Sequence, residues 1–492
     1  MYMISTPANL SDEAEAVLRD LNPWWRSGIG VRPPAPAYRR PAIRELSQRL
    51  FRPKGLIEVV RGPRQVGKTT GIHQIIEDLI RAGVTPTNIL FVRFDLQLLR
   101  EEEQVLRRIA RWFEDSIRRR PFGEGTPAYL FLDEIHKLKR WHEEVKHLGD
   151  THPLRILMTG SSSVLVARGG RESLAGRIFT TELPPFSFRE VLECWKPTLA
   201  GALPPAVPIE RAIESDLAEF NADMARLRPQ QRLSMGRALE RFYVRGGYPR
   251  LHSGEVDDDR WADYLVQTVF ENVLGADIPD LFPVESPGLL RHLYLAVARH
   301  TCRELSQNEL AAVANQAGFA TNQPTVRKYL HYLSDALVIR EFRRFPVAKA
   351  SSRFPAKLSV TDLGVRNAIF RGAPSLSESD PMLLGPLVET MVQACLRGPN
   401  VSVHFYRDYA EPGNRRSPLR EVDFVVERLD GAILPVEVQF RRSVSAGDLD
   451  GIRTFRSRFD APRALVVTRD KSEWSERESV LYMPLIHFLL AV

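Results

Sequence analysis

The run Gly62-Pro63-Arg64-Gln65-Val66-Gly67-Lys68-Thr69 constrains this chain more than any other stretch. It is a full G-x-x-x-x-G-K-[ST] match, and its setting is right. A β-rich run, Leu56–Val60, precedes it, and an apolar-periodic helical pattern, Gly71–Ile80, follows. Glycines in such a loop let successive backbone N–H groups turn inward on phosphates. The positive end of the following helix adds to that field. In this arrangement Lys68 reaches the β- and γ-phosphates and the Thr69 hydroxyl ligates Mg²⁺. ATP with Mg²⁺ is therefore the expected ligand.

The surrounding pattern agrees. Between Leu56 and Leu183, short apolar runs at Leu56–Val60, Ile89–Phe94, Tyr129–Leu132, Arg155–Met158 and Ile178–Leu183 alternate with helical periodicity. Strands separated by helices imply a parallel α/β sheet. The run Tyr129-Leu130-Phe131-Leu132 ends in Asp133-Glu134. Acids at the C-terminal tip of a buried strand face the crevice where open α/β sheets bind ligands. Asp133 is expected to hold Mg²⁺ through water and Glu134 to polarise an attacking water, which favours hydrolysis. The next strand ends in Thr159-Gly160-Ser161-Ser162-Ser163. A polar group there, with Ser161 as candidate, either senses the γ-phosphate or caps a helix. Beyond it, Arg171 and Arg177 are candidate fingers for a neighbouring subunit's γ-phosphate, or ordinary surface arginines.

Downstream, residues 186–285 read as helical. Residues 286–372 read as three helices and two strands, with Ser306/Glu309 as a capping box and Thr321 or Asn322 capping the next helix. That order suggests a winged helix-turn-helix. Residues 322–366 hold nine Lys/Arg against three Asp/Glu, an excess close to the whole chain's +7. Such a patch suits DNA phosphates. Arg327 and Lys328 on the second helix and Arg343 and Arg344 on the strand are the candidate contacts. Protein packing is the competing use of such a fold. Further on, the strand Glu421–Val426, the turn Asp430-Gly431 and the strand Ile433–Gln439 read as a hairpin. It would pair Asp423 with Glu437. With Glu389 from the helix Gly385–Leu396, these acids make a possible hard-oxygen metal site, or a satisfied polar pair without metal.

Composition adds exclusions. Three scattered cysteines, Cys194, Cys302 and Cys395, have no zinc spacing and no disulfide framework. No signal peptide and no apolar run of membrane-spanning length is read, so a cytoplasmic protein with no membrane partner is expected. The first forty residues, with Asn22-Pro23-Trp24-Trp25 and a proline-rich stretch, read as an irregular arm.

Taken in order, these pieces resemble a bacterial and archaeal family of AAA+-type ATPases with a helical lid, a winged helix and a restriction-endonuclease-like domain. The resemblance is carried by Asn22–Trp25, Gly62–Thr70, Leu132–His136, Thr159–Ser163, Leu174–Arg177 with Pro185–Phe188, Gly246–Pro249, Asp362-Leu363-Gly364, and Glu421–Phe424 with Pro435–Gln439. It covers nearly the whole chain. It implies an N-terminal arm at 1–40, a P-loop ATPase core at 41–185, a lid at 186–285, a winged helix at 286–374 and a nuclease-like α/β domain at 375–492. ATPase roles would fall on Lys68, Thr69, Asp133 and Glu134. In the last domain Asp423 and Glu437 would hold a metal, and position 439 would normally carry lysine. Here it is Gln439, which orients water but offers no charge to the phosphate. Arg441 is the same-face candidate to compensate. Three functions follow: an ATP-driven switch or motor on DNA, an ATP-gated nuclease, and a signalling ATPase whose C-terminal domains bind only protein. An arginine finger would require a homo-oligomer.

Overall fold

The computed structural model describes residues 10–28, 34–52, 57–100, 104–161, 176–214, 216–346, 355–377, 380–409, 419–441 and 443–492. The chain divides into two compact units, Met1–Pro184 and Pro185–Val492.

The first unit is built on five strands: β1 (Ile57–Gly62), β2 (Ile89–Arg93), β3 (Tyr129–Asp133), β4 (Arg155–Ser161) and β5 (Ile178–Glu182). All pair in parallel, in the order β2-β3-β4-β1-β5. β3 is buried along its whole length, as its unbroken apolar run requires for a sheet covered on both faces. The helix Lys68–Arg81 packs through Ile72, Ile75, Ile76 and Leu79.

The N-terminal segment corrects the expectation of an irregular arm. It forms a helix, Asp12–Leu21, then a single turn, Trp24–Ser27. Its purpose is legible at β2, which is an edge of the sheet. The Asn22 side chain donates to the Phe91 carbonyl (2.8 Å) and accepts from the Phe91 N–H (2.7 Å), as a neighbouring strand would. Trp24 and Trp25 each donate an indole N–H to the Ile89 carbonyl (3.2 and 2.8 Å). The edge is thus covered, which removes a template for pairing with other chains.

The second unit opens with helices. The helix Phe188–Trp195 is capped by a Ser187/Glu190 box, and Pro229–Arg245 follows. Next come the helix Pro287–Arg299, β6 (Arg303–Leu305), the helices Gln307–Gln316 and Gln323–Asp335, β7 (Ile339–Arg344) and β8 (Ala356–Val360). The Ser306/Glu309 box forms as expected, and Asn322, rather than Thr321, caps the next helix through Thr325 N–H. β6 is a strand the periodicity did not reveal. After the helix Pro381–Cys395 come β9 (Val401–Tyr409), β10 (Leu419–Arg428), β11 (Ile433–Gln439), β12 (Ala464–Thr468), β13 (Glu473–Ser475) and β14 (Val480–Pro484). The Asp430-Gly431 hairpin forms, with Phe424 opposite Val436 and Glu427 opposite Ile433.

One sheet joins all nine strands, in the order β13-β14-β12-β11-β10-β9-β7-β8-β6. β7 is shared: Ile339 to Phe342 pair antiparallel with β8, and Arg343 and Arg344 pair parallel with His404 and Phe405 of β9. The sheet therefore crosses the 374/375 division suggested by the sequence. Phe342 meets Phe424 edge-on, with ring centroids 5.5 Å apart. The last residues form β14 and the buried helix Leu485–Ala491. Among the described residues, no helix is long and apolar enough to cross a membrane.

Candidate nucleotide site and a buried carboxylate cluster

In the first unit the loop between β1 and the helix Lys68–Arg81 takes the shape its sequence demands. Gly67 adopts a left-handed conformation at φ 95°, and it precedes a helix start with no side-chain cap. The helix N–H groups are thus left for a ligand. At Gly62 a side chain is impossible, since a Cβ there would lie 2.2 Å from the Leu183 carbonyl oxygen. Buried Arg40 braces the loop by donating to the carbonyls of Val66 (3.2 Å) and Pro184 (2.7 Å). Lys68 is buried and donates to the carbonyls of Gly62 (2.9 Å) and Pro63 (3.0 Å). Pro63, Arg64, Gln65 and Val66 form the loop between them, and Thr70 lies in the first turn of the helix.

The strand tips complete the site. The Thr69 hydroxyl donates to Asp133 Oδ2 at 2.7 Å, so the expected ion ligands converge. Thr159, from β4, donates to Asp133 Oδ1 and accepts from the Glu134 N–H (3.1 Å). Glu134 Oε1 lies 4.0 Å from Lys68 Nζ, and Glu134 Oε2 lies 3.4 Å from His136 Nδ1. Burial pushes the Asp133 carboxyl up and the Glu134 charge adds to this, while Thr159, Thr69 and Lys68 oppose both. Burial also disfavours charge on Glu134, but Lys68, His136, Arg64 and Lys137 outweigh it and hold that carboxyl below its ordinary range. The donor set fits a magnesium-bound triphosphate. It has a hydroxyl and a carboxylate for a hard cation, an ammonium and helix N–H groups for phosphate, and an ionised acid beside them.

Other expectations fare differently. Ser161 lies at the end of β4, where its backbone pairs with Gly62. Thr159, two residues earlier, is the polar side chain that engages both acids. Arg171 falls outside the described residues. Arg177 precedes β5 at the end of the sheet remote from the loop, where its carbonyl accepts from Ile57 N–H (2.8 Å) and its side chain pairs with Asp150 (3.1 Å). Arg40 had no motif to announce it, and His136 lay at the end of the Leu132–His136 stretch without a role assigned to it.

Residues 54–192 match the family model of an AAA domain. The core of the first unit is a P-loop domain of the AAA type. Residues 236–376 and 384–486 match two further families, each described as a domain of unknown function. An uncharacterised protein of Haemophilus influenzae is 20% identical over 447 residues, covering 89% of this chain and 96% of that protein. An uncharacterised protein of Methanocaldococcus jannaschii is 22% identical, covering 62% and 60% respectively. The ORC1 protein of Aeropyrum pernix, solved in complex with DNA, aligns at 13% identity over 69% of this chain and 94% of that one. Its TM-score of 0.31 is too low to carry an argument.

In the second unit, the basic residues counted toward a DNA face are largely engaged by protein groups. Lys328 pairs with Glu285 (3.1 Å). Arg340 donates to the Gln393 side-chain oxygen (2.9 Å) and the Leu396 carbonyl (3.1 Å). Arg343 and Arg344, the candidate DNA contacts on the strand, lie where β7 joins β9, and Arg344 is 3.9 Å from Asp408. Arg327 and Arg343 have exposed side chains. Residues 347–354 lie outside the described residues.

The hairpin brings the second acid set together. Asp423 Oδ2 accepts from Val438 N–H (2.9 Å), Glu437 Oε2 from Asp423 N–H (3.3 Å), and Glu437 Oε1 from the Gln439 amide (2.9 Å). Arg441 turns away to Asp448 (3.3 Å). The unexpected member is Lys357 of β8, whose ammonium lies 2.5 Å from Glu389 Oε2 and 3.1 Å from Asp423 Oδ1. Burial alone would discharge that lysine, but Asp423 and Glu389 raise it well above its ordinary range. Burial, with the Asp423 charge, pushes Glu389 up to about 8 and Glu437 well above the carboxylate range. These residues do not fit a divalent metal. The oxygens of Asp423 and Glu437 already accept from protein donors, and the Lys357 ammonium pairs with Glu389 and Asp423. Among the described residues no group of three or more His, Cys, Asp or Glu is arranged to hold a metal ion.

Proposed function

We propose that this chain is an ATP-hydrolysing switch or motor of the AAA type that acts on DNA through its second unit. The observation that carries the ATPase reading is the convergence of Thr69 on Asp133 (2.7 Å) beside Glu134 and Lys68. Bound ATP and Mg²⁺ would supply an activated γ-phosphoryl group. Lys68 would exchange the Gly62 and Pro63 carbonyls for phosphate oxygens. Thr69 and Asp133 would hold the ion, and Thr159 would fix Asp133. Glu134, ionised and aimed by His136, would orient a water and accept its proton.

DNA as partner rests on the helix and strand order of residues 287–360, which is compatible with the winged helix expected from the sequence, and on the local excess of cations. The ties of Lys328, Arg340 and Lys357 to protein groups favour a second reading, in which the C-terminal domains bind protein only. Salt dependence separates the two. Phosphate contacts release counterions, so duplex affinity should fall steeply with salt on the first reading and be negligible at all salt concentrations on the second. The companion test is ATP turnover, expected in the parent and absent in Lys68→Ala.

A further inference from the structure

We propose that Lys357 is the resident cation of the Glu389–Asp423–Glu437 cluster, standing where a nuclease of this resemblance would hold a divalent metal. The C-terminal domain accordingly takes up no catalytic metal and cleaves no phosphodiester. The argument stands on the second unit alone and does not rest on the ATPase reading.

Three observations carry it. The first is occupancy. The Lys357 ammonium lies between Glu389 Oε2 (2.5 Å) and Asp423 Oδ1 (3.1 Å), and it also reaches the Asp423 carbonyl (3.3 Å). A magnesium ion would need those carboxylate oxygens at about 2.1 Å, inside the reach of the ammonium charge. The second is saturation. The other Asp423 oxygen accepts from Val438 N–H, and both Glu437 oxygens accept, one from Asp423 N–H and one from Gln439. Gln439 is therefore a cap on Glu437, not a water-activating group facing out. The third is anchorage. Lys357 is buried, its backbone is fixed opposite Phe342 in β7 and Glu304 in β6, and its Nζ lies 4.8 Å from the Phe424 ring centroid. Withdrawing that ammonium would leave the acids unpaired in a buried site. The cluster thus serves as an ion-pair lock. It ties β8 to the helix Pro381–Cys395 through Glu389 and to β10 through Asp423.

The test is Mn²⁺ binding to the full nucleotide-free chain, read from loss of the free-Mn²⁺ electron paramagnetic resonance signal. Parent, Glu437→Gln, Lys357→Ala and the Lys357→Ala/Glu437→Gln double variant are compared. The parent and Glu437→Gln should bind equal amounts of Mn²⁺. Lys357→Ala should gain one additional ion per chain, and the double variant should lose it. A parent that binds one ion more than Glu437→Gln would overturn the proposal, as would a folded Lys357→Ala variant that gains none. Should Lys357→Ala fail to fold, the parent and Glu437→Gln still decide. Mn²⁺-dependent cutting of linear DNA by the parent, lost in Glu437→Gln, would make Lys357 a lysine that works beside a metal. Equal Mn²⁺ binding with no cutting is the expected result.

Discussion

At the scale of single residues, two buried or half-buried acids in this chain are treated in opposite ways. Glu134 is held ionised next to Lys68, where an attacking water would need a base. Glu437 is pushed toward its neutral form by burial and by Asp423. Glu134→Gln should retain nucleotide binding and lower turnover at least about a hundredfold, the usual scale for loss of a positioned base. Rapid turnover by that variant would remove the role given to Glu134. Lys357→Met should cost about 3–5 kcal/mol in urea unfolding, because the buried acids lose their partner. A cost within 0.5 kcal/mol would show that the lock contributes nothing. A pH effect also follows from His252, whose ring meets the Gly246 carbonyl at 2.8 Å and is held down to about 4 by burial. In the unfolded chain its value returns to 6.5. Between these values the unfolded chain binds a proton that the folded chain refuses. Stability present above pH 6.5 is therefore lost as pH falls toward 4, by about 3 kcal/mol at most. Asp362, pushed up to about 6 by burial, works in the opposite sense over much of that window. His252→Gln should therefore flatten the acid loss seen in urea midpoints between pH 7 and 4.5. An unchanged slope would exclude His252 as its source.

At the scale of elements, β1, β2 and β3 were readable because each is a run of branched and aromatic residues that the sheet buries, whereas β5, partly exposed along its length, was readable from its short apolar start alone. The loop that follows β1 was readable because phosphate binding fixes residue types at fixed spacing. The N-terminal helix and turn were not readable as such. The value of Asn22 and the two tryptophans lies in contacts with β2, almost seventy residues away, and local periodicity carries no trace of that. Lys357 was hidden for the same reason. It was counted as part of a basic surface, yet β8 carries it to Asp423, 66 residues on. The one hint was the missing lysine at 439, which marked a gap without showing what fills it. Thr159 was visible in its motif, but only the register of β4 against β3 singles it out over Ser161. Asn22→Ala should leave the Phe91 N–H and carbonyl unpaired and cost about 1–3 kcal/mol. Hydrogen exchange at Phe91 should speed up with it. Unchanged protection there would mean that the edge of β2 does not depend on Asn22.

At the scale of the whole molecule, a P-loop unit is joined in sequence to a unit whose nine-stranded sheet runs through both of its matched families. The shared strand β7 and the ion pairs of Lys357 tie the residues of both matched families into one sheet. Arg177 lies beyond the reach of its own phosphate loop, across a strand of about 20 Å. If it is a finger it acts on a neighbouring copy, and turnover per chain should then rise with protein concentration. Concentration-independent turnover by a proven monomer would remove the finger and leave the basal site intact. The most direct test of the account is Mg²⁺-dependent ATP hydrolysis by the full chain and by Lys68→Ala, with nucleotide binding measured on the same samples. The account predicts turnover in the parent and none in Lys68→Ala. Equal turnover in the two, or a parent that binds no nucleotide, would contradict it.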